Sequence, residues 1–230
     1  MPQILSFAQS KLQNLENTLH LERQDIINAD LLNVLKNLPK LLDDIVLKEL
    51  SSIIADYSDR IDFLTEQELI INVISPILRL VKNKGEGYSN FANRTFGYDF
   101  GELKLSGAVD YTIASGKYEP SVPYFCFHEY KKEQGDSDPR GQLLAEMLVA
   151  QALNRDAKTG FDTIYGCVVV GRNWFWVILK DKEYAVSKAY DSTQIEDLEE
   201  IYLILVKIKY IIEDHIKSKK QFNYAKNIDL

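Results

Sequence analysis

The chain has 230 residues, 46% hydrophobic and 27% charged, with 27 Lys plus Arg against 34 Asp plus Glu and a formal net charge of −7. These values describe a globular chain of one fair-sized domain, or a domain of about 150 residues with an appended piece, and they argue against a basic coat for DNA. Two Cys (Cys126, Cys167) and three dispersed His (His20, His128, His215) exclude a disulfide scaffold and a CxxC or HxxxH zinc site.

The opening Met1-Pro2-Gln3-Ile4 is no basic leader before an apolar stretch, and no segment approaches the roughly 18 apolar residues of a membrane span. The expectation is a reduced, soluble, cytoplasmic protein with no membrane contact.

Residues 4–58 read as helical throughout. Ile4, Ala8, Leu12, Leu15 and Leu19 recur at spacings of three and four, as on one helical stripe. A second set runs Ile26, Ile27, Leu31, Leu32, Leu35 and Leu38, closed by Pro39; a third runs Leu41, Leu42, Ile45, Val46, Ile53 and Tyr57. The first Gly is Gly85, so turn chemistry is scarce. This region is expected to form a helical extension over residues 1–60, ahead of an α/β domain over 61–230.

The next helix is better marked. Thr65 with Glu68 three residues on forms a capping-box pattern, Ile70, Val73, Ile74, Ile77, Leu78 and Val81 supply an apolar face, and Pro76 predicts a bend. Strand character follows at 103–113. After the turn Ser115-Gly116-Lys117, a second aromatic-rich strand, Tyr124-Phe125-Cys126-Phe127-His128-Glu129-Tyr130-Lys131, reads as largely buried. Asp138 as N-cap and Pro139 at the first helical position open a helix to about Asn154. Strands at 163–170 and 173–179, joined by Gly171-Arg172, and a long helix over 194–216 complete an α/β fold around one central sheet.

The residues that carry chemistry are Asp110 and the string Glu129-Tyr130-Lys131. Strand side chains alternate, so Glu129 and Lys131 share a face, with Phe125 and Phe127 expected on it and His128 on the other. An acid on one strand, with a second acid and a Lys two apart on the next, suits a divalent metal held by hard oxygen ligands. The Lys then orients a water or offsets charge on phosphorus oxygens. An ordinary surface ion pair accounts for a lone E-x-K string, but this strand is too aromatic to be freely solvated.

Asp110 with Glu129-Tyr130-Lys131, set among helices and strands in this order, resembles the PD-(D/E)xK nuclease superfamily, the restriction-endonuclease-like fold. The resemblance covers residues 65–179. It implies a central mixed sheet flanked by helices, with Asp110 and Glu129 binding Mg2+ or Mn2+ and Lys131 orienting the attacking water. Val109 stands where many members have Pro. Members often add an acid on the helix before the sheet, here Glu66 as a further metal ligand, with Glu68 as the second choice. They also often place a Gln on the helix after the Lys strand, matched by Gln142 in Asp138-Pro139-Arg140-Gly141-Gln142. Glu146, four residues on, shares the face of Gln142, and Gly141 permits close approach of a backbone or phosphate.

Weaker signals have plainer readings. Trp174 and Trp176 fill sheet faces or form a base-stacking platform. Lys82, Lys84 and Arg94 are loop cations or phosphate contacts. The Lys-rich tail (Lys217, Lys219, Lys220, Lys226) complements a helix C-terminus. No GxxxxGK[ST] string occurs. The expectation is a metal-dependent nuclease acting on nucleic acid, DNA ahead of RNA, and able to dimerise through its N-terminal helices. Its rivals are a non-catalytic module of the same fold assembling through those helices, and a binder of small phosphorylated ligands.

Overall fold

The computed structural model describes residues 3–27, 29–36, 38, 42–132 and 139–228, with side chains to residue 221. Among them are β1 (Gln3–Ser6), α1 (Leu12–Leu19), β2 (Glu22–Arg23), α2 (Asp44–Tyr57), α3 (Glu66–Leu69) and α4 (Ser75–Val81). The sheet then builds through β3 (Ser89–Asp99), β4 (Leu103–Ser115) and β5 (Ser121–Lys131). After α5 (Pro139–Asp156) come β6 (Thr163–Val170), β7 (Asn173–Lys180), β8 (Glu183–Val186), β9 (Tyr190–Asp191) and α6 (Ile195–Ile228). The result is a mixed α/β fold around one central sheet flanked by helices. No helix among the described residues is long and apolar enough to cross a membrane.

The sheet runs β1-β4-β5-β6-β7-β8-β2, with β3 also on β4 and β9 also on β7. β5 and β6 are parallel and are joined by α5, while the β3–β4, β4–β5, β6–β7 and β7–β8 pairs are antiparallel. Leu143 and Met147 of α5 close onto the sheet at Gly166, where an added Cβ would sit 2.6 Å from the Met147 sulfur. Trp174 and Trp176 are fully buried, so they are core and offer no platform to a base.

The first sixty residues differ from the all-helical reading. Gln3–Ser6 is a strand parallel to Leu103–Ser106 of β4, and Glu22–Arg23 pairs with β8 at the far edge. The apparent stripe from Ile4 fails because Ile4 points to solvent, 69% exposed, while Phe7 enters the core. An unpaired sheet edge offers backbone partners that outweigh a weak helical periodicity. The second expected helix is reduced to a 3-10 stretch, Asp30–Leu35, with Leu32 and Leu35 inward and Ile26 and Ile27 exposed. The third is a true helix, α2, capped by Asp43, whose carboxylate accepts the Ile45 N–H at 2.8 Å. Pro39 and Leu41 lie outside the described residues, as does Asp138.

The bend expected at Pro76 takes the form of a π turn, Ile70–Ile74, in which the Ser75 N–H reaches back to the Ile70 carbonyl. Pro76 has no N–H to continue an ordinary ladder, and it sits at the start of α4, where none is needed. The final helix runs to Ile228, twelve residues past its expected end at 216. Lys220 in this extension pairs with Glu86, and the Lys226 side chain lies outside those described.

Candidate active site

β4 and β5 pair only as far as Tyr111↔His128, and β1 occupies the same edge of β4 from Leu103 to Ser106. Residues 107–110 therefore face a gap in the sheet. Asp110 fills the missing rung, its Oδ2 accepting the backbone N–H of Tyr130 at 2.9 Å. A buried N–H left without a partner is costly, so this carboxylate also holds the end of β5 in place.

Glu129 lies one step past the last rung and is 0% exposed. Its Oε1 pairs with Lys131 Nζ, and its Oε2 accepts from Gln142 Nε2 at 2.8 Å. Lys131 Nζ also donates to the Tyr130 carbonyl at 3.1 Å and lies 3.8 Å from Glu66 Oε2. Asp110, Glu129, Lys131, Gln142 and Glu66 thus meet at one end of the sheet, drawn from β4, β5, α5 and α3. Glu68 stays in the capping box, accepting the Thr65 N–H at 2.9 Å and its hydroxyl at 2.8 Å. The two candidate accessory acids therefore separate: Glu66 faces Lys131 and Glu68 caps the helix.

The pairing on β5 corrects one expectation. Ile113 faces Cys126 and Ala114 faces Tyr124, leaving Phe125 as an extra residue in a β-bulge. Phe125 accordingly meets Phe161 and His215, while Phe127 stacks with Phe96 and Tyr124. The alternation that places Phe127 with Glu129 holds only beyond the bulge. His128 lies on the opposite face as expected, its Nδ1 3.0 Å from the Tyr130 hydroxyl, and burial lowers its pKa to about 3.

A carboxylate that drew no role from the sequence completes the cluster. Glu146 is fully buried, its Oε1 is 3.4 Å from Gln142 Nε2, and its Oε2 has no hydrogen-bond partner among the described residues. The signal for it was present: on a helix, Gln142 and Glu146 stack four residues apart. Burial, then the charges of Glu129 and Asp110, raise the Glu146 pKa well above the carboxylate range. Burial and Asp110 likewise push Glu129 up, against the opposing pull of Lys131. For Lys131, burial works downward, but its hydrogen bond to Glu129 and the surrounding acids outweigh it, so its pKa is raised. Lys131 therefore remains an ammonium at neutral pH and serves as a cationic donor.

Gly141 does permit a close approach, and the partner is backbone. An added Cβ would stand 2.9 Å from Lys11 Cα and 3.0 Å from Leu12 N, so the N-terminal segment presses on the first turn of α5 beside Gln142.

An open cleft of about 650 Å³ adjoins this centre, with Glu66 and Asp110 on its wall together with Tyr111 and Tyr130. Arg79, Lys82 and Lys84 line it too. Arg94 does not, being paired with Glu119 at 3.2 Å. Arg79 escaped the sequence reading because only the tertiary fold turns the end of α4 towards β4. Among the described residues, no three His, Cys, Asp or Glu side chains form a ready-made metal cage. The donor set nevertheless suits Mg2+, which takes one or two carboxylates and leaves its other positions to water and phosphate. The unpartnered Glu146 Oε2 and the mutual repulsion of the buried acids are what a nearby cation relieves. The chain matches no protein-family model and no curated protein.

Proposed function

We propose that this protein is a divalent-metal-dependent nuclease with a restriction-endonuclease-like fold, hydrolysing phosphodiester bonds in nucleic acid. The observation that carries the reading is the convergence of Asp110, Glu129 and Lys131 where β4 and β5 part, backed by Gln142, with Asp110 and Glu66 on the wall of a cleft with a cationic rim. Asp110 and Glu129 hold Mg2+ or Mn2+, with Glu66 completing the acidic shell. When bound, the ion polarises a phosphoryl oxygen and lowers the pKa of a bound water. Lys131, kept protonated by the acids around it, orients that water and offsets negative charge developing on the phosphate. Gln142 fixes the Glu129 carboxylate through its Oε2, an outer hydrogen bond of the kind that sets ligand orientation.

The test is cleavage of labelled single- and double-stranded DNA and RNA in Mg2+ or Mn2+, beside Lys131→Ala and Asp110→Asn. Cleavage by the wild type that both variants lack supports the reading and identifies the polymer. Equal background in all three proteins, with intact circular dichroism, overturns it and favours the non-catalytic module.

A further inference from the structure

Glu146 is the one acid of the cluster that the chemistry above leaves without a task. It lies in the second turn of α5, beside Leu143, Leu144 and Met147, and all four are 0% exposed. An apolar side chain would suit that setting, whereas a carboxyl there is costly unless a hydrogen-bond partner or a cation answers it. Among the described residues, Gln142 is its one side-chain hydrogen-bond partner. The Gln142 Nε2 stands 3.4 Å from Glu146 Oε1 and already donates to Glu129 Oε2 at 2.8 Å. Glu146 Oε2 has no partner among them.

A basic side chain would be the ordinary answer, and it is already spent. Lys131 is the only described cation ion-paired with these acids, and Glu129, Glu66 and the Tyr130 carbonyl engage its ammonium. One ammonium thus faces four carboxyl groups, those of Asp110, Glu129, Glu146 and Glu66, and a divalent ion offsets most of the surplus. The charges of Glu129 and Asp110 both act on Glu146, so its carboxyl lies in the field of the two principal ligands. Among the described residues the acids form no ready-made cage, so one of them must turn to close on an ion. Asp110 Oδ2 is tied to the Tyr130 N–H, and Glu129 is tied to Lys131 and Gln142. Glu146 Oε2 gives up no described bond in turning.

We propose that Glu146 is a further carboxylate ligand of the divalent ion, reaching it from the α5 side, while the 44%-exposed side chain of Glu66 lies towards solvent. This assignment rests on the nuclease reading and names an inner ligand of that same site.

The experiment is Mn2+ binding to the full-length protein without nucleic acid, read as loss of the electron paramagnetic resonance signal of the free ion. The wild type is expected to bind Mn2+. Glu146→Gln keeps the size without the charge and is expected to bind about tenfold or more weakly, at least the cost of disturbing a ligand's surroundings. Glu146→Asp keeps the charge but withdraws it by one carbon. It should also weaken binding, because a ligand is sensitive to reach and a remote charge is not. Mn2+ should raise the unfolding midpoint of the wild type more than that of either variant, since stabilisation follows occupancy. Glu49→Gln, at an exposed position on α2, should match the wild type in both measurements. A Glu146→Gln protein that binds Mn2+ as tightly as the wild type overturns the assignment. So does a fully competent Glu146→Asp, or a wild type that holds no Mn2+ at millimolar concentration. Binding that needs Glu146, with no cleavage of any nucleic acid, upholds the ligand and refutes the nuclease reading alone. Metal-dependent cleavage with a Mn2+ affinity indifferent to Glu146 refutes only the ligand.

Discussion

Asp110 Oδ2 accepts the Tyr130 N–H at 2.9 Å at the point where the β4–β5 ladder has already ended. One carboxylate thus closes a backbone gap and stands beside Glu129, so its structural and chemical roles need separating. Asp110→Ala strands a buried N–H and is expected to cost about 1–3 kcal/mol of stability. Asp110→Asn keeps an acceptor oxygen in the same place and should unfold within about 1 kcal/mol of the wild type. Both should lower cleavage by about 100-fold or more, because an amide is a poor ligand for Mg2+. Urea titrations beside the cleavage assay check this, and an Asn variant that retains full activity removes Asp110 from the chemistry.

Glu146 sets a pH dependence whose sign follows from its burial. Its pKa in the folded state is raised above the ordinary 4.5, so the folded protein holds a proton that unfolding releases. Stability is then greatest below about pH 4.5 with respect to this group and declines as pH rises towards the folded-state value. The decline reaches up to about 1.4 kcal/mol per pH unit for each proton involved. Glu129 is raised for the same leading reason and acts in the same direction. Glu146→Gln keeps the size and removes the ionisation. The metal-free variant should match the wild type near pH 5, exceed it near pH 8, and show a shallower slope by urea unfolding at each pH. A variant less stable than the wild type at every pH would mean that the Glu146 carboxyl makes a bond Gln cannot replace.

Glu66 and Glu68 are two residues apart and are expected to respond in opposite ways. Glu66→Gln removes a charge 3.8 Å from Lys131 and should reduce turnover while leaving the unfolding midpoint in place. Glu68→Ala opens the capping box with Thr65 and should lower the midpoint while leaving turnover per folded molecule unchanged. The reverse pattern would exchange their roles.

What could be read in the sequence is what neighbouring residues decide. The Thr65–Glu68 box, the aromatic strand ending in Glu129-Tyr130-Lys131, and a helix opening at Pro139 depend on contacts within a few positions. They also delivered the residues that meet at the site. Features settled by distant partners were hidden. Ile4 sits in a strand because β4, about 100 residues on, leaves an edge open. Phe125 leaves the face of Phe127 because the register against Ile113 and Ala114 inserts a bulge. Arg79 joins the cleft only because the fold brings the end of α4 to the same cleft as Asp110 of β4.

The N-terminal segment is a structural part of the sheet, and Phe7 measures how firmly. Its ring is 1% exposed, lies edge-on to Phe96 at 5.3 Å, and packs where a Cβ on Gly107 would come within 2.8 Å. Phe7→Ala is expected to destabilise by about 3–5 kcal/mol, as for other buried aromatics. A loss below about 1 kcal/mol in urea unfolding would instead make the segment a peripheral arm.

Gly141→Ala sets two effects of known size against each other. Ala is favoured over Gly inside a helix by about 1 kcal/mol, which alone would stabilise α5. The added methyl, however, meets Lys11 Cα at 2.9 Å and Leu12 N at 3.0 Å. Backbone atoms cannot swing aside as a flexible side chain does, so the first turn of α5 must shift. Overpacking of this kind costs about 1–3 kcal/mol, and the expected net result is destabilisation. The shift also moves Gln142, whose Nε2 holds Glu129 Oε2 at 2.8 Å. Turnover should therefore fall further than the folded fraction does, with KM nearly unchanged, because Gln142 positions a ligand and binds no substrate. Thermal unfolding and kcat measured on one preparation decide the matter. A more stable variant with full turnover would mean that the helix start yields freely and that Gln142 need not be held where it stands.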